Sequence, residues 1–113
     1  MADASTIPQA LQTFMAEIAR REGARFRSAV LFGSHARGEG REESDVDVAV
    51  ILSDMPDSLI DTKLALADIA YDILLETGVL IQPMPLSADE WDHPEHHLNP
   101  RLIANIRREG RPL

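Results

Sequence analysis

The stretch FGSHARGEGREESDVDVAV, residues 32–50, sets the reading of the whole chain. It joins the end of one apolar run, RFRSAVLF (25–32), to the start of another, VDVAVIL (46–52), which is rich in β-branched side chains. Both runs read as strands. Beyond Asp47 the second is apolar at every position, as expected of a central strand covered on both faces. Between them lies a polar, glycine-bearing loop, and loops of this kind between buried strands are where binding and catalytic groups concentrate.

The chemistry of the loop ends follows from strand geometry. Side chains alternate along a strand, so Asp45 and Asp47 point to the same face and can share hard cations through oxygen. Gly33 lets the backbone approach an anion closely, and the Ser34 hydroxyl and neighbouring N–H groups can donate to it. A turn and a carboxylate pair on adjacent strands would hold the two ends of a metal–triphosphate, where two metals activate a nucleophile and stabilise departing pyrophosphate. A solvated strand edge accounts for one carboxylate, but two on one face leading into a doubly apolar strand call for a cation. Other D-x-D chemistries, in phosphatases and sugar-nucleotide transferases, place the acids after a buried apolar strand. Here GREES precedes them and the apolar run follows.

Working outward, Ile7, Leu11, Phe14, Met15 and Ile18 make one apolar helical face over about 7–22, with Thr6 and Gln9 resembling a capping box and Gly23 as the stop. A long helix over about 58–77 buries Leu66, Ile69, Ala70, Ile73 and Leu74, opening on Ser58 and Asp61 and ending at Gly78. Residues 79–87, VLIQPMPLS, read as a third strand, which Pro83 and Pro85 push to a sheet edge or an irregular end. Asn99-Pro100 opens a last helix through Arg108, stopped by Gly110. The order α-β-loop-β-α-β-α predicts an α+β fold, a small mixed sheet flanked by helices.

A length of 113 residues fits a single domain over 1–113. With no cysteine there are no disulfides or thiolate metal sites, which agrees with a reducing cytoplasm. No apolar segment is long enough to span a bilayer, and MADASTIPQA lacks the features of a signal peptide, so the expected location is cytoplasmic and not membrane. A net charge of -8 argues against general nucleic-acid binding, which rests on cationic contacts to phosphates. Arg101, Arg107, Arg108 and Arg111 crowd the last thirteen residues, read first as a solvated helix end favoured by the macrodipole and second as a docking surface.

Gly33-Ser34, ten residues, then Asp45-x-Asp47 resembles the G-S-x10-D-x-D signature of minimal nucleotidyltransferases, relatives of the DNA polymerase β superfamily. Arg37-Gly38 and Ser44 also stand in familiar places. The resemblance implies the polymerase β-like nucleotidyltransferase fold and transfer of a nucleoside monophosphate, AMP from ATP or its equivalent from another NTP, to a hydroxyl. It implies Mg²⁺ or Mn²⁺ on Asp45 and Asp47 as catalytic and metal residues. Gly33, Ser34, Arg37 and Ser44 would bind nucleotide, with Arg41 a weaker candidate on the phosphates. It also implies an alternative, a catalytically weak or inactive nucleotide-binding antitoxin-like module that binds a helical partner toxin. A chain this short is expected to meet its acceptor through a partner protein or a homo-oligomer.

One departure stands out. Active members place a third carboxylate on the later strand, and VLIQPMPLS has none. Gln82 offers an oxygen but cannot take a proton. Asp68 and Asp72 fall on the long helix, and Asp89 and Glu90 beyond the strand. His35 reads as a solvated loop residue, and His93, His96 and His97 as an acidic loop whose spacing matches no common metal site.

Overall fold

The computed structural model describes residues 6–41, 44–55 and 58–113; Glu42 and Glu43 of the loop, and Met1–Ser5, lie outside them. Helix α1 spans Thr6–Glu22, strand β1 Phe26–Phe32, β2 Val46–Leu52, helix α2 Leu59–Thr77, strand β3 Ile81–Ser87, helix α3 Ala88–Asp92, helix α4 Pro100–Glu109 and strand β4 Arg111–Pro112. The sheet order is β3-β2-β1-β4. β1 runs antiparallel to β2 and β4, whereas β2 and β3 are parallel, joined by α2 as the crossover a parallel pair requires. This is the mixed α+β sheet expected.

Alternation along β2 divides the molecule into two cores. Val46, Val48, Val50 and Leu52 face α1 and α2, packing with Phe14, Ile18, Leu66, Ile69 and Ile73. Ala49 and Ile51 face the other way, with Val30, Leu86, Ile103 and Ile106 under α3 and α4. Each fully buried side chain of this kind contributes about 1.5–3 kcal/mol. Asp47 shares the parity of Ala49 and Ile51, so the polar end of β2 opens toward α4.

Local signals account for most boundaries. The Ser58 side chain caps α2 by accepting from the Asp61 N–H at 3.1 Å, and Gly78 ends it in the left-handed region at φ 78. Asn99 caps α4, with Pro100 in its first turn. Helix α1 includes Thr6 as its first residue rather than starting after it, and Gly23, at φ 57, marks its end.

Helix α3 and strand β4 were not anticipated. The five-residue α3 rests on a full capping box between Ser87 and Glu90, a signal present in the sequence as S-x-x-E. Strand β4 is two residues long and exists through pairing of Arg111 and Pro112 with Leu31 and Val30, a long-range contact with no local pattern.

β3 occupies the sheet edge, as its prolines predict. The Val46 N–H donates to Leu80 O at 2.8 Å, so alternate N–H groups at 82, 84 and 86 face β2. The nitrogens of Pro83 and Pro85 therefore face outward, where no hydrogen bond is lost. No helix of the described residues is long and apolar enough to cross a membrane.

Candidate active site

The site begins where β1 pairs with β2. Phe32 lies opposite Asp47, so the next residue, Gly33, starts its turn beside the Asp47 side chain. Gly33 has φ 75, a region that favours glycine. A Cβ there would collide with Asp47 Oδ2 and lie 3.2 Å from its Cγ. Backbone conformation and close packing both exclude a side chain.

From Gly33 the chain makes a compact turn. Arg37 N donates to Gly33 O at 3.2 Å and Glu39 N to Ser34 O at 2.9 Å, with Ala36 buried beneath and Gly38 at φ 77. The first N–H groups of such a turn have no acceptor within it, the arrangement that receives anionic oxygens. Ser34 lies here, half-buried.

His35 is not a solvated loop residue. It is half-buried, its Nε2 is 3.2 Å from Ser44 O, and its ring packs so tightly on Gly40 that a Cβ there would lie 2.7 Å from Cε1. Ser44 is tied to Arg41: its Oγ accepts from Arg41 N at 3.1 Å and its N–H donates to Arg41 O at 3.0 Å. His35 and Ser44 together clip the end of the loop to its beginning, which delivers Asp45 to the head of β2. The exposed Arg41 has its backbone engaged in this clip.

Asp45 is exposed just before β2 begins, Asp47 is half-buried within it, and both carboxylates lie near Gln82. Burial first, then the like charge of Asp45, raise the Asp47 pKa above the ordinary carboxylate range; His35 and Arg37 act in the opposite direction. The like charge of Asp45 thus acts on Asp47 and is partly offset by His35 and Arg37. Two carboxylates with substrate phosphate oxygens are a usual coordination set for Mg²⁺, so these residues fit a divalent cation.

Beside them, Gln82 pairs with Asp47 across the parallel strands, and its Nε2 donates to Asp45 Oδ2 at 3.5 Å. The place next to both acids is thus taken by an amide. Glu90 is engaged in its capping box and Asp89 Oδ2 lies 2.8 Å from His96 Nδ1. Asp68 and Asp72 are exposed on α2. Among the described residues no group of three or more His, Cys, Asp or Glu could hold a metal, the histidine loop included.

Arg37 is exposed and paired within its own loop, Nε donating to Glu39 Oε1 at 2.7 Å, with Nη1 3.8 Å from Glu109 Oε2. It borders a hollow of about 260 Å³ lined by Phe32, Gly33, Leu102, Asn105, Ile106 and Glu109. Asn105 and Glu109 had no signal in the sequence; α4 brings them in by packing across β1. A larger hollow of about 510 Å³ lies on the α1 side of the sheet, lined by Leu11, Met15, Leu31 and Leu113 together with His35, Gly40 and Arg41 of the loop.

Of the C-terminal arginines, Arg107 sits 5.9 Å from the Trp91 ring centroid and donates to Asp92 O at 3.4 Å, Arg108 pairs with Asn105 and Glu109 at the end of α4, and Arg111 lies on β4.

Residues 14–109 match the nucleotidyltransferase domain family model. The chain belongs to the nucleotidyltransferase family. It is 34% identical over 82 residues to a Methanocaldococcus jannaschii protein named as a candidate protein adenylyltransferase, covering 73% of this chain and 56% of that protein. A second protein so named from that organism is 29% identical over 105 residues, covering 93% and 95%. A third is 42% identical over 55 residues, covering 49% and 54%. The chain thus spans only about half the length of two of these relatives. Among solved structures, one described as a minimal nucleotidyltransferase is 30% identical with a TM-score of 0.61, covering 98% of this chain and 96% of that one. A toxin–antitoxin crystal structure solved with AMP-PNP shares the fold, at 18% identity and a TM-score of 0.60, covering 88% and 68%. The signature of this nucleotidyltransferase, Gly33-Ser34 and Asp45-x-Asp47, lies within the matched residues.

Proposed function

We propose that residues 1–113 form one cytoplasmic nucleotidyltransferase domain that binds ATP, or another nucleoside triphosphate, with Mg²⁺ or Mn²⁺. It transfers AMP to a hydroxyl of a partner protein. The observation that carries this reading is the convergence of Asp45 and Asp47, on one strand face, with the Gly33 turn. The names of the relatives, and the AMP-PNP in a toxin–antitoxin of the same fold, support adenylyl transfer to protein.

Asp45 and Asp47 would hold the cation, which when bound screens phosphate charge and stabilises the departing pyrophosphate. The Gly33 and Ser34 N–H groups and the Ser34 hydroxyl seat the β- and γ-phosphates. Arg37, released from Glu39, adds a charge-assisted contact to phosphate. Ser44 acts by holding the loop closed. In the transfer the acceptor oxygen bonds to the α-phosphorus and the bond to the β-phosphate oxygen breaks. Pyrophosphate leaves with that electron pair and the hydroxyl proton passes to solvent.

A second reading rests on Gln82, an amide where a third carboxylate would serve. On this reading the chain binds Mg-nucleotide and a helical partner without transferring AMP. Incubation with α-labelled ATP and Mg²⁺, with and without a candidate partner encoded beside it, separates the two. Label transfer lost in Asp45→Asn and Asp47→Asn supports the enzyme. Partner binding without transfer, unaffected by those changes, supports the module.

A further inference from the structure

Helix α2 has two apolar faces, and only one is covered. Thr62, Leu66, Ile69, Ala70 and Ile73 are buried against the sheet and α1. On the far side Ile60, Leu64, Tyr71 and Leu75 are 69%, 61%, 59% and 67% exposed, with Ala67 exposed between them. Their spacing of four, three, four and four residues aligns them in one stripe about 22 Å long, at a rise of about 1.5 Å per residue. Singly exposed leucines are ordinary; a continuous stripe of large apolar side chains marks a contact surface.

The borders of the stripe are unequal. Helical spacing places the exposed Asp61 and Asp68 beside the stripe and Lys63 on its other side, with Asp72 and Glu76 further round, where they share a hollow with Glu17, Arg20 and Arg21 of α1. At its C-terminal end the stripe runs into a groove of about 180 Å³ lined by Tyr71, Leu74, Leu80, Pro83 and Gln82. This groove reaches the sheet edge at the residue that touches Asp45.

These features select the occupant. An added β-strand would need N–H donors along the outer edge of β3, and Pro83 and Pro85 provide none. In an antiparallel dimer of α2 helices, a two-fold axis sets like flanks together, acid against acid. A parallel dimer offers the acidic flank a single lysine, and the chain carries a net charge of -8. A helix with its own apolar stripe and a Lys/Arg-rich flank satisfies both the apolar face and the acidic border.

We propose that the outer face of α2 docks a basic-flanked amphipathic helix of a partner protein, seated beside the Gln82 end of the active site. This deepens the partner element of the proposed function, and it stands whether or not AMP is transferred.

The test uses a fluorescein-labelled synthetic helical peptide with leucines on one face and arginines on the flank, and a twin carrying glutamates instead, read by anisotropy. The arginine peptide is expected to bind and the glutamate peptide not to. Leu64→Glu or Tyr71→Glu should weaken binding by roughly tenfold or more, as loss of a central interface contact does. Asp68→Arg with Asp72→Arg should reverse the preference between the peptides. Equal binding of the two peptides, no binding of either, or no response to Leu64→Glu would overturn the proposal. So would a dimer in sedimentation that Leu64→Glu dissociates, which would assign the face to a second copy. Mg-ATP titration of Leu64→Glu is the control. Unchanged nucleotide uptake with lost peptide binding locates the defect on α2, while absent uptake in the unmodified protein strikes the nucleotide reading alone.

Discussion

Gly33 and the carboxylate of Asp47 are packed so closely that no Cβ fits between them. The turn that would carry phosphate and the acid that would carry metal are therefore one mechanical unit, positioned by a single strand register in which Phe32 faces Asp47. Gly33→Ala should cost about 1–3 kcal/mol of stability, from a left-handed φ combined with the collision. Chemical denaturation measures that cost. Nucleotide binding should be lost even at temperatures where the variant remains folded, because the carboxylate must move to make room.

Asp47→Asn should separate stability from binding. Burial and Asp45 hold the Asp47 pKa above its unfolded value. A raised carboxylate pKa favours the folded state at pH values below the ordinary one, and that advantage is lost as pH rises through the folded pKa. At neutral pH the ionised side chain is thus a cost, which asparagine removes. The free variant should melt above the unmodified protein. The unmodified protein at about 100 times Kd of Mg-nucleotide should gain about 2.7 kcal/mol. The variant should gain nothing. Scanning calorimetry reads both effects.

Gln82→Asp places a third carboxylate next to the pair. Ligand charge governs divalent affinity, so Mn²⁺ binding without nucleotide should tighten by roughly tenfold, about 1.4 kcal/mol. Gln82→Asn should leave it near the unmodified level. Titration calorimetry with Mn²⁺ distinguishes these, and labelled transfer in Gln82→Asp reports whether the amide is what restrains catalysis.

The histidine loop offers a pH test remote from the site. The hydrogen bond to Asp89 raises the His96 pKa above its ordinary value. The stabilisation is full below that ordinary value and disappears as pH rises through the folded pKa. In an NMR titration of the imidazole Cε1–H, Asp89→Asn should lower the His96 midpoint and leave Mg-nucleotide affinity unchanged.

The site loop was legible because its signals are local: a glycine-serine bend after one apolar run and two same-face acids before another. The long helices were legible from caps and periodicity, down to Ser58 and Gly78. The edge position of β3 followed from two prolines. What escaped notice depends on contacts distant in sequence. β4 is defined by Leu31 and Val30, eighty residues away in the chain (roughly) and invisible to any window of residues. His35 looked solvated because nothing local reveals that Gly40 and Ser44 close over it. Asn105 and Glu109 join the site rim only because α4 packs on the carboxylate face. The outer stripe of α2 escaped notice because the inner one already accounted for the periodicity of the helix.

The most direct measurement is isothermal titration with a non-hydrolysable ATP analogue, with and without Mg²⁺, on the unmodified protein and on Asp45→Asn/Asp47→Asn. The account predicts saturable binding that requires Mg²⁺ and vanishes in the double variant. Binding of equal strength without the metal, or undiminished in the double variant, would contradict it.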